Sequence, residues 1–390
     1  MSFSGKIWDM SGRQYPAWRY EVLKTEVRAV WIPFMDFREI LTGKSKSEFE
    51  KAFCGRMDTA AEWGINRVFV HLRPFGDALY PSAVFPASHL ISGEEGVKPA
   101  FDPLDVMLRA VHERGMELDA WINPFRVRAP GVAKAGAGLC PDNPALRMRD
   151  PLGIIEYRNS ITYNPASEEA CSLILSGIRE LVDAYPVDGI HFDDYFYPFS
   201  DTFFDMDSYC AYKLPGGGLS QAAWRRQNVS LFLRECHKTI HGSGCGRFGI
   251  SPKGYMPCNT DEEFLDVPRI LSEPGYVDYV CPQAYFALND EICPFSSVME
   301  QYDTLITADI QLLAGLAVYK LGFDDRWAGE AGRREWLEGV SLLADMVTVS
   351  RGCKSYGGFS LYNFQTAFLP QAAFKARVDE EMSALRRILS

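Results

Sequence analysis

Asp188-Gly-Ile-His-Phe-Asp-Asp-Tyr-Phe-Tyr-Pro198 is the stretch that decides the fold. Ile190 and Phe192 alternate with His191 and Asp193, the period-two pattern of a strand. One face of that strand is apolar, as a face packed under helices must be. The other carries a histidine and then an acid, and the segment ends in two adjacent carboxylates. Inward positions of a barrel strand tolerate such polarity near the C-terminal mouth, whereas outward positions do not. The segment therefore predicts a barrel strand with Asp193 at the mouth.

Similar apolar runs recur on both sides of it, each followed by an amphipathic stretch. The pattern predicts strands over 27–35, 66–73, 117–123, 187–193, 247–253, 277–285, 311–321 and 356–362. Helices are predicted over 46–63, 103–114, 167–185, 220–241, 262–271, 297–306, 333–347 and 371–389. Eight strands, each followed by a helix, is the count of an α/β fold of the (β/α)8 TIM-barrel type. No linker divides the chain, so 25–390 reads as a single barrel domain behind an N-terminal extension over 1–24. The long excursions, roughly 76–101, 126–166 and 195–219, all leave the C-terminal ends of strands, where barrels build their active sites.

Composition narrows the class. The 390 residues carry 40 Lys and Arg against 51 Asp and Glu, a net charge of −11, with no basic block. That balance argues against nucleic acid or anionic membrane as a partner, because phosphate backbones reward basic surfaces. No apolar run is long enough to span a bilayer. Ten cysteines are scattered without a C-x-x-C pair and read as small buried apolar groups of a reducing compartment. The segment Met1–Trp8 has no secretory apolar core, so the expectation is a cytoplasmic protein. The sequence carries no signal for an oligomeric state.

Alternation assigns the remaining strand faces. It sends Val68, Val70 and Leu72 outward and Phe69, His71 and Arg73 inward. Leu118, Ala120 and Ile122 go outward; Asp119, Trp121 and Asn123 go inward. Continued around the barrel, the rule lines the mouth with Arg73, Asn123, Asp193, Lys253, Gln283, Tyr285, Tyr319 and Tyr362, with Trp121 below them. Fork-shaped polar groups between flat rings suit a sugar, whose hydroxyls need paired hydrogen bonds and whose C–H faces stack on rings. Asp77, His191 and Tyr195 join this substrate-binding set. The competing reading is a satisfied polar layer of the core.

Asp193 and Asp194 are the sharpest candidates for chemistry. Adjacent carboxylates repel, so one tends to hold a proton, and an acid beside a carboxylate is what glycosidic cleavage needs. Capping or calcium binding is the bland alternative. Asp207, in the loop that follows, is the third catalytic candidate. Neither H-x-H nor H-E-x-x-H is present, and the six histidines read as singly spread, so no metal and no cofactor is expected. A phosphate loop and a serine-nucleophile elbow are also missing. Lys253 leaves room for an aldolase, and loss of turnover would leave a non-catalytic carbohydrate-binding barrel.

Beyond that central stretch, several others carry a family resemblance: Arg28-Ala-Val-Trp31, Arg73-Pro-Phe-Gly-Asp-Ala-Leu-Tyr-Pro-Ser82, Trp121-Ile-Asn-Pro124, Tyr163-Asn-Pro165 and Trp224-Arg-Arg226. Phe248-Gly-Ile-Ser-Pro252, Asp278-Tyr-Val-Cys-Pro-Gln-Ala-Tyr285 and Gly315-Leu-Ala-Val-Tyr319 continue it. Over about 25–365 the chain resembles the bacterial glycosyl-hydrolase-like glycosidases, a group that includes a divisome-associated enzyme cutting peptide-free peptidoglycan strands. The resemblance implies a barrel hydrolase acting on an oligo- or polysaccharide, with its acids at the end of the fourth strand; members are often exported. The Asp pair also looks like that of hexosaminidases using substrate assistance. Asp193 would then hold the 2-acetamido N–H and Asp194 would protonate the leaving oxygen. Alternatively, Asp193 is the nucleophile or stabiliser and the loop, Asp207 first, supplies the acid. Where the family tends to carry Trp-Arg-Asn after the fifth strand, this chain has Tyr255-Met-Pro-Cys-Asn259.

Overall fold

The computed structural model describes residues 26–130, 138–193 and 195–389, together with the backbone of 6–8 and 14–16. A closed barrel of parallel strands forms its centre. The strands are β1 Val27–Ile32, β2 Arg67–Arg73, β3 Glu117–Ile122, β4 Gly189–Phe192, β5 Phe248–Ile250, β6 Tyr279–Val280, β7 Gln311–Leu316 and β8 Tyr356–Leu361. The principal helices are α1 Lys46–Glu62, α2 Pro103–His112, α3 Glu168–Ala184, α4 Gln221–Gly242, α5 Val267–Ser272, α6 Phe295–Leu305, α7 Leu342–Ser350 and α8 Lys375–Leu389. This is the TIM-barrel architecture that the alternation of patterns predicts. No helix among the described residues is long and apolar enough to cross a membrane, and the cysteines are free thiols.

Local chemistry explains the boundaries. Asp102 accepts the backbone N–H groups of Leu104 and Asp105, and Pro103 opens α2 where no amide donor is needed. β5 and β6 are much shorter than predicted because Pro252 and Pro282 lack the N–H a ladder requires. Pairing resumes only as isolated bridges, Lys253 to Gln283 and Gln283 to Gly315. Of the helix predicted over 262–271 only the second half forms, as α5, and a separate short helix, Met256–Asp261, precedes it. Asp266 restarts the helix by accepting the Arg269 N–H at 3.3 Å, with Pro268 in its first turn. The pattern over 333–347 likewise breaks at Gly339 and at Ser341, which takes a left-handed conformation.

Two cores result. Val68, Val70, Leu118, Ala120, Ile190, Phe192, Ile250 and Val280 pack outward against the helices. Each large aliphatic side chain buried this way contributes about 1.5–3 kcal/mol. Ala29, Trp31, Phe69, Trp121, Tyr279, Cys281 and Leu313 fill the lumen. Glycine makes that filling possible at two inward positions: a Cβ on Gly249 would lie 2.0 Å from the Tyr279 ring, and one on Gly189 2.8 Å from Asp119.

The floor of the lumen is a satisfied polar relay. Trp31 Nε1–H donates to His191 Nε2 at 3.2 Å, and His191 Nδ1 reaches Tyr279 Oη at 2.9 Å. Tyr279 in turn donates to Asp119 at 2.9 Å, and Arg247 forks onto the same carboxylate. This order of donors requires a neutral His191 protonated on Nδ1. Burial would raise the Asp119 carboxyl, but Arg247 and Arg67 outweigh it and hold the group below its ordinary range.

Candidate active site

The mouth is built where β2, β3, β4 and β5 end. Asp193 follows β4 and is only 7% exposed. Asn123, just past β3 and fully buried, donates its amide N–H to Asp193 Oδ1. Its own oxygen faces His71 Nε2 at 2.8 Å, and the His71 ring stacks on Trp121 with centroids 3.7 Å apart. Burial first, and the charge of Arg126 second, push His71 well below the ordinary histidine range. The neutral ring then donates through Nε2, so a single line of donors runs His71, Asn123, Asp193. A charge-assisted bond at its end holds the carboxylate in one orientation.

Strand alternation places these residues correctly, sends His191 into the lumen as observed, and errs at Arg73. Arg73 does not enter the lumen. A bulge lies between His71 and Arg73, where two residues of β2 advance against one of β3, and this turns Arg73 outward. Its guanidinium lies 4.3 Å above the Phe85 ring and donates to the Pro124 carbonyl. His191 belongs to the floor, with both ring nitrogens engaged and burial pushing it down to about 3. His71 is the histidine connected to Asp193. Asp77 is buried inside the loop after β2, 3.1 Å from His89 Nδ1.

Asp194 lies outside the described residues. Its neighbours are held on both sides. Glu263 accepts the backbone N–H groups of Phe196 at 3.1 Å and Tyr197 at 3.4 Å, and its other oxygen is 3.5 Å from Lys253 Nζ. Sequence reasoning missed Glu263, which it placed inside a predicted helix; an acid ten residues beyond Lys253 gives no periodic signal. Arg126 was missed as well. Its guanidinium sits 4.0 Å over the Tyr195 ring and 5.9 Å from that of Phe75, forming a cationic rim beside Asp193's segment. Asp207 is not brought to this group: it is exposed on the first turn of the short helix Met206–Lys213. Asp205 is the acid of that loop that turns inward, and Arg225 of α4 holds it.

Opposite the carboxylate stands an aromatic corner. Tyr285, Tyr319 and Tyr362, from the ends of β6, β7 and β8, meet with ring centroids 5.7–5.9 Å apart. Tyr319 sits on the turn Val318–Lys320 and stays 39% exposed. Tyr362 rests on Trp31 at 5.7 Å, which ties the corner to the lumen core. Gln283 bridges β5 and β7 beneath it. The oriented acid and the flat rings thus share the C-terminal rim of one barrel.

The two buried imidazoles make a titration test. Lowering the pH from 8 to 6 should leave the His71 and His191 rings neutral, while His112, raised by its hydrogen bond to Asp188, protonates early. Ring nitrogen chemical shifts followed by NMR would show it. Protonation of His71 above pH 6 would contradict the donor line to Asp193. The sign for stability follows: a depressed histidine binds protons better unfolded, so its contribution weakens as pH falls below ~6.5.

A family model for glycosyl hydrolase-like 10 matches residues 26–329. Glycosyl hydrolase YngK of Bacillus subtilis (strain 168) is 30% identical over 327 residues, covering 78% of this chain and 63% of the relative. Glycosyl hydrolase DigH of Escherichia coli (strain K12) is 34% identical over 302 residues, covering 70% and 66%. The match therefore spans just under two thirds of the length of either relative. Among solved structures, the PgaB (BpsB) glycoside hydrolase domain from Bordetella bronchiseptica superposes with a TM-score of 0.56 at 14% identity, covering 94% of this chain and 99% of that one. At that identity the likeness speaks for the barrel alone, but the family match runs from β1 past β7, and through it the chain belongs to the glycosyl hydrolase-like 10 family.

Proposed function

We propose that this barrel hydrolyses an O-glycosidic bond of a bacterial polysaccharide containing N-acetylhexosamine, a peptidoglycan glycan strand or a chemical relative of one. The observation that carries the reading is the buried Asp193, oriented by Asn123, on the same rim of the barrel as the three-tyrosine corner. The names of its relatives, glycosyl hydrolases both, support the reaction class. A sugar ring resting on the tyrosines would present its edge to the carboxylates. Asp193 then orients the 2-acetamido N–H or stabilises the positive charge growing at the anomeric carbon, and Asp194 protonates the departing oxygen.

The direct test is to incubate the full chain with peptide-free glycan strands and with chitooligosaccharides and to resolve the products by mass and anomeric configuration. New reducing ends from either substrate support the reading. Tight binding with no cleavage would assign a carbohydrate-binding role instead. Retention of configuration would accord with a double displacement or with substrate assistance, inversion with direct attack by water.

Tyr285→Ala tests the aromatic corner separately. It should weaken glycan binding by about 1–3 kcal/mol, the value of a stacked ring losing most of its burial. Calorimetry on a slowly cleaved oligosaccharide reads it. Unchanged affinity would return Tyr285 to the core.

A further inference from the structure

We propose that His237, His241 and Asp278 form a binding site for a divalent transition-metal ion of the zinc type, on the face of the barrel opposite the mouth. His237 and His241 lie four residues apart near the C-terminal end of α4, so both rings share one face of the helix. Asp278 precedes β6 by one residue. His241 Nε2 is 2.9 Å from Asp278 Oδ2 and His237 Nε2 is 3.6 Å from Asp278 Oδ1, so the two imidazoles address different oxygens of one carboxylate. One donor atom from each residue lies within 4.8 Å of the others, and the ring centroids are 4.1 Å apart.

Two imidazole nitrogens and a carboxylate oxygen are a zinc donor set, with a fourth position for water. All three side chains are partly exposed, so an ion can enter without unfolding the chain. The carbonyl end of α4 adds a favourable field for a cation.

A second clasp on the same face shows what is unusual here. Asp188, just before β4, accepts the Leu118 N–H and pairs with His112 at the end of α2, both at 2.8 Å. Asp278 repeats this arrangement, accepting the Phe248 N–H at 2.6 Å and pairing with His241. One histidine is therefore enough to clasp a helix end to the next strand. Four residues before His112 stands Leu108; four before His241 stands His237. The second imidazole is not needed for such a clasp, and its approach to the other oxygen of Asp278 turns the clasp into a set of three ligands.

The test uses full-length protein stripped with a chelator and titrated with Co²⁺ and then Zn²⁺. One ion per chain should bind, with visible Co²⁺ absorption of nitrogen and oxygen ligation and no thiolate charge-transfer band. Zinc should raise the thermal unfolding midpoint. His237→Ala should lower affinity by more than the roughly 10–100-fold that losing an outer-sphere partner costs, and should abolish the midpoint shift. Asp278→Asn, which keeps the shape but not the charge, should weaken binding as well, whereas His112→Ala should leave it unchanged. Wild-type affinity in His237→Ala, a thiolate spectrum, or no stoichiometric uptake by the wild type would overturn the site.

Discussion

Asp194→Asn is expected to slow cleavage of a natural glycan by roughly 10²–10⁴-fold, the range for loss of a general acid, while the protein stays folded. The expectation rests on how its segment is held. Asp193 is fixed from below by Asn123, and Phe196 and Tyr197 are held by Glu263 through their backbone. Between them the Tyr195 ring lies 4.0 Å from the Arg126 guanidinium. Nitrophenyl glycosides, whose leaving group needs little protonation, should be slowed far less by the same change. Asp193→Asn should slow both classes of substrate, because its role is independent of the leaving group. Steady-state rates on the two substrates separate the roles. A wild-type rate on natural glycan in Asp194→Asn would place the acid elsewhere, with Glu263 the next residue to examine, ahead of the exposed Asp207.

Arg225→Ala should destabilise the protein by about 3–5 kcal/mol, the cost of stripping one partner from a buried ion pair. Arg225 and Asp205 have side chains 2% and 0% exposed, so solvent screens them little. The guanidinium also donates to the carbonyls of Ser200 and Asp201 and lies 4.7 Å from the Phe264 ring. Without it, among the described residues, the Asp205 carboxylate keeps Tyr197 and Gln221, and the loop after β4 loses its charged anchor to α4. Replacing both partners with apolar residues of similar volume should cost much less, since no charge is left stranded. Urea unfolding of the single and double variants measures the difference. A loss under about 1 kcal/mol for Arg225→Ala would show that the pair carries no such weight.

Much of the barrel was legible because both of its periods are written in the apolar residues. Period two placed Ile190 and Phe192 under the helices and Asp193 and Asn123 at the mouth, as observed. The reading failed where the chain changes register or breaks for reasons no period records. The bulge after His71 reversed Arg73, and the prolines at 252 and 282 shortened β5 and β6. Glu263 and Arg126 reach the mouth from loops, so tertiary folding alone brings them there. The histidines were read as isolated, yet His237 and His241 stand one helical turn apart. Spacing alone showed that pair; its meeting with Asp278, distant in sequence, did not show.

The sealed floor of the barrel has a consequence for traffic. Trp31, His191, Tyr279 and Asp119 are locked to one another across the lumen, with Phe69 stacked on His191 at 4.2 Å. No polymer can thread through such a plug. A glycan that reaches Asp193 must come from the C-terminal rim. It arrives and departs on that one side, because the floor offers no second door.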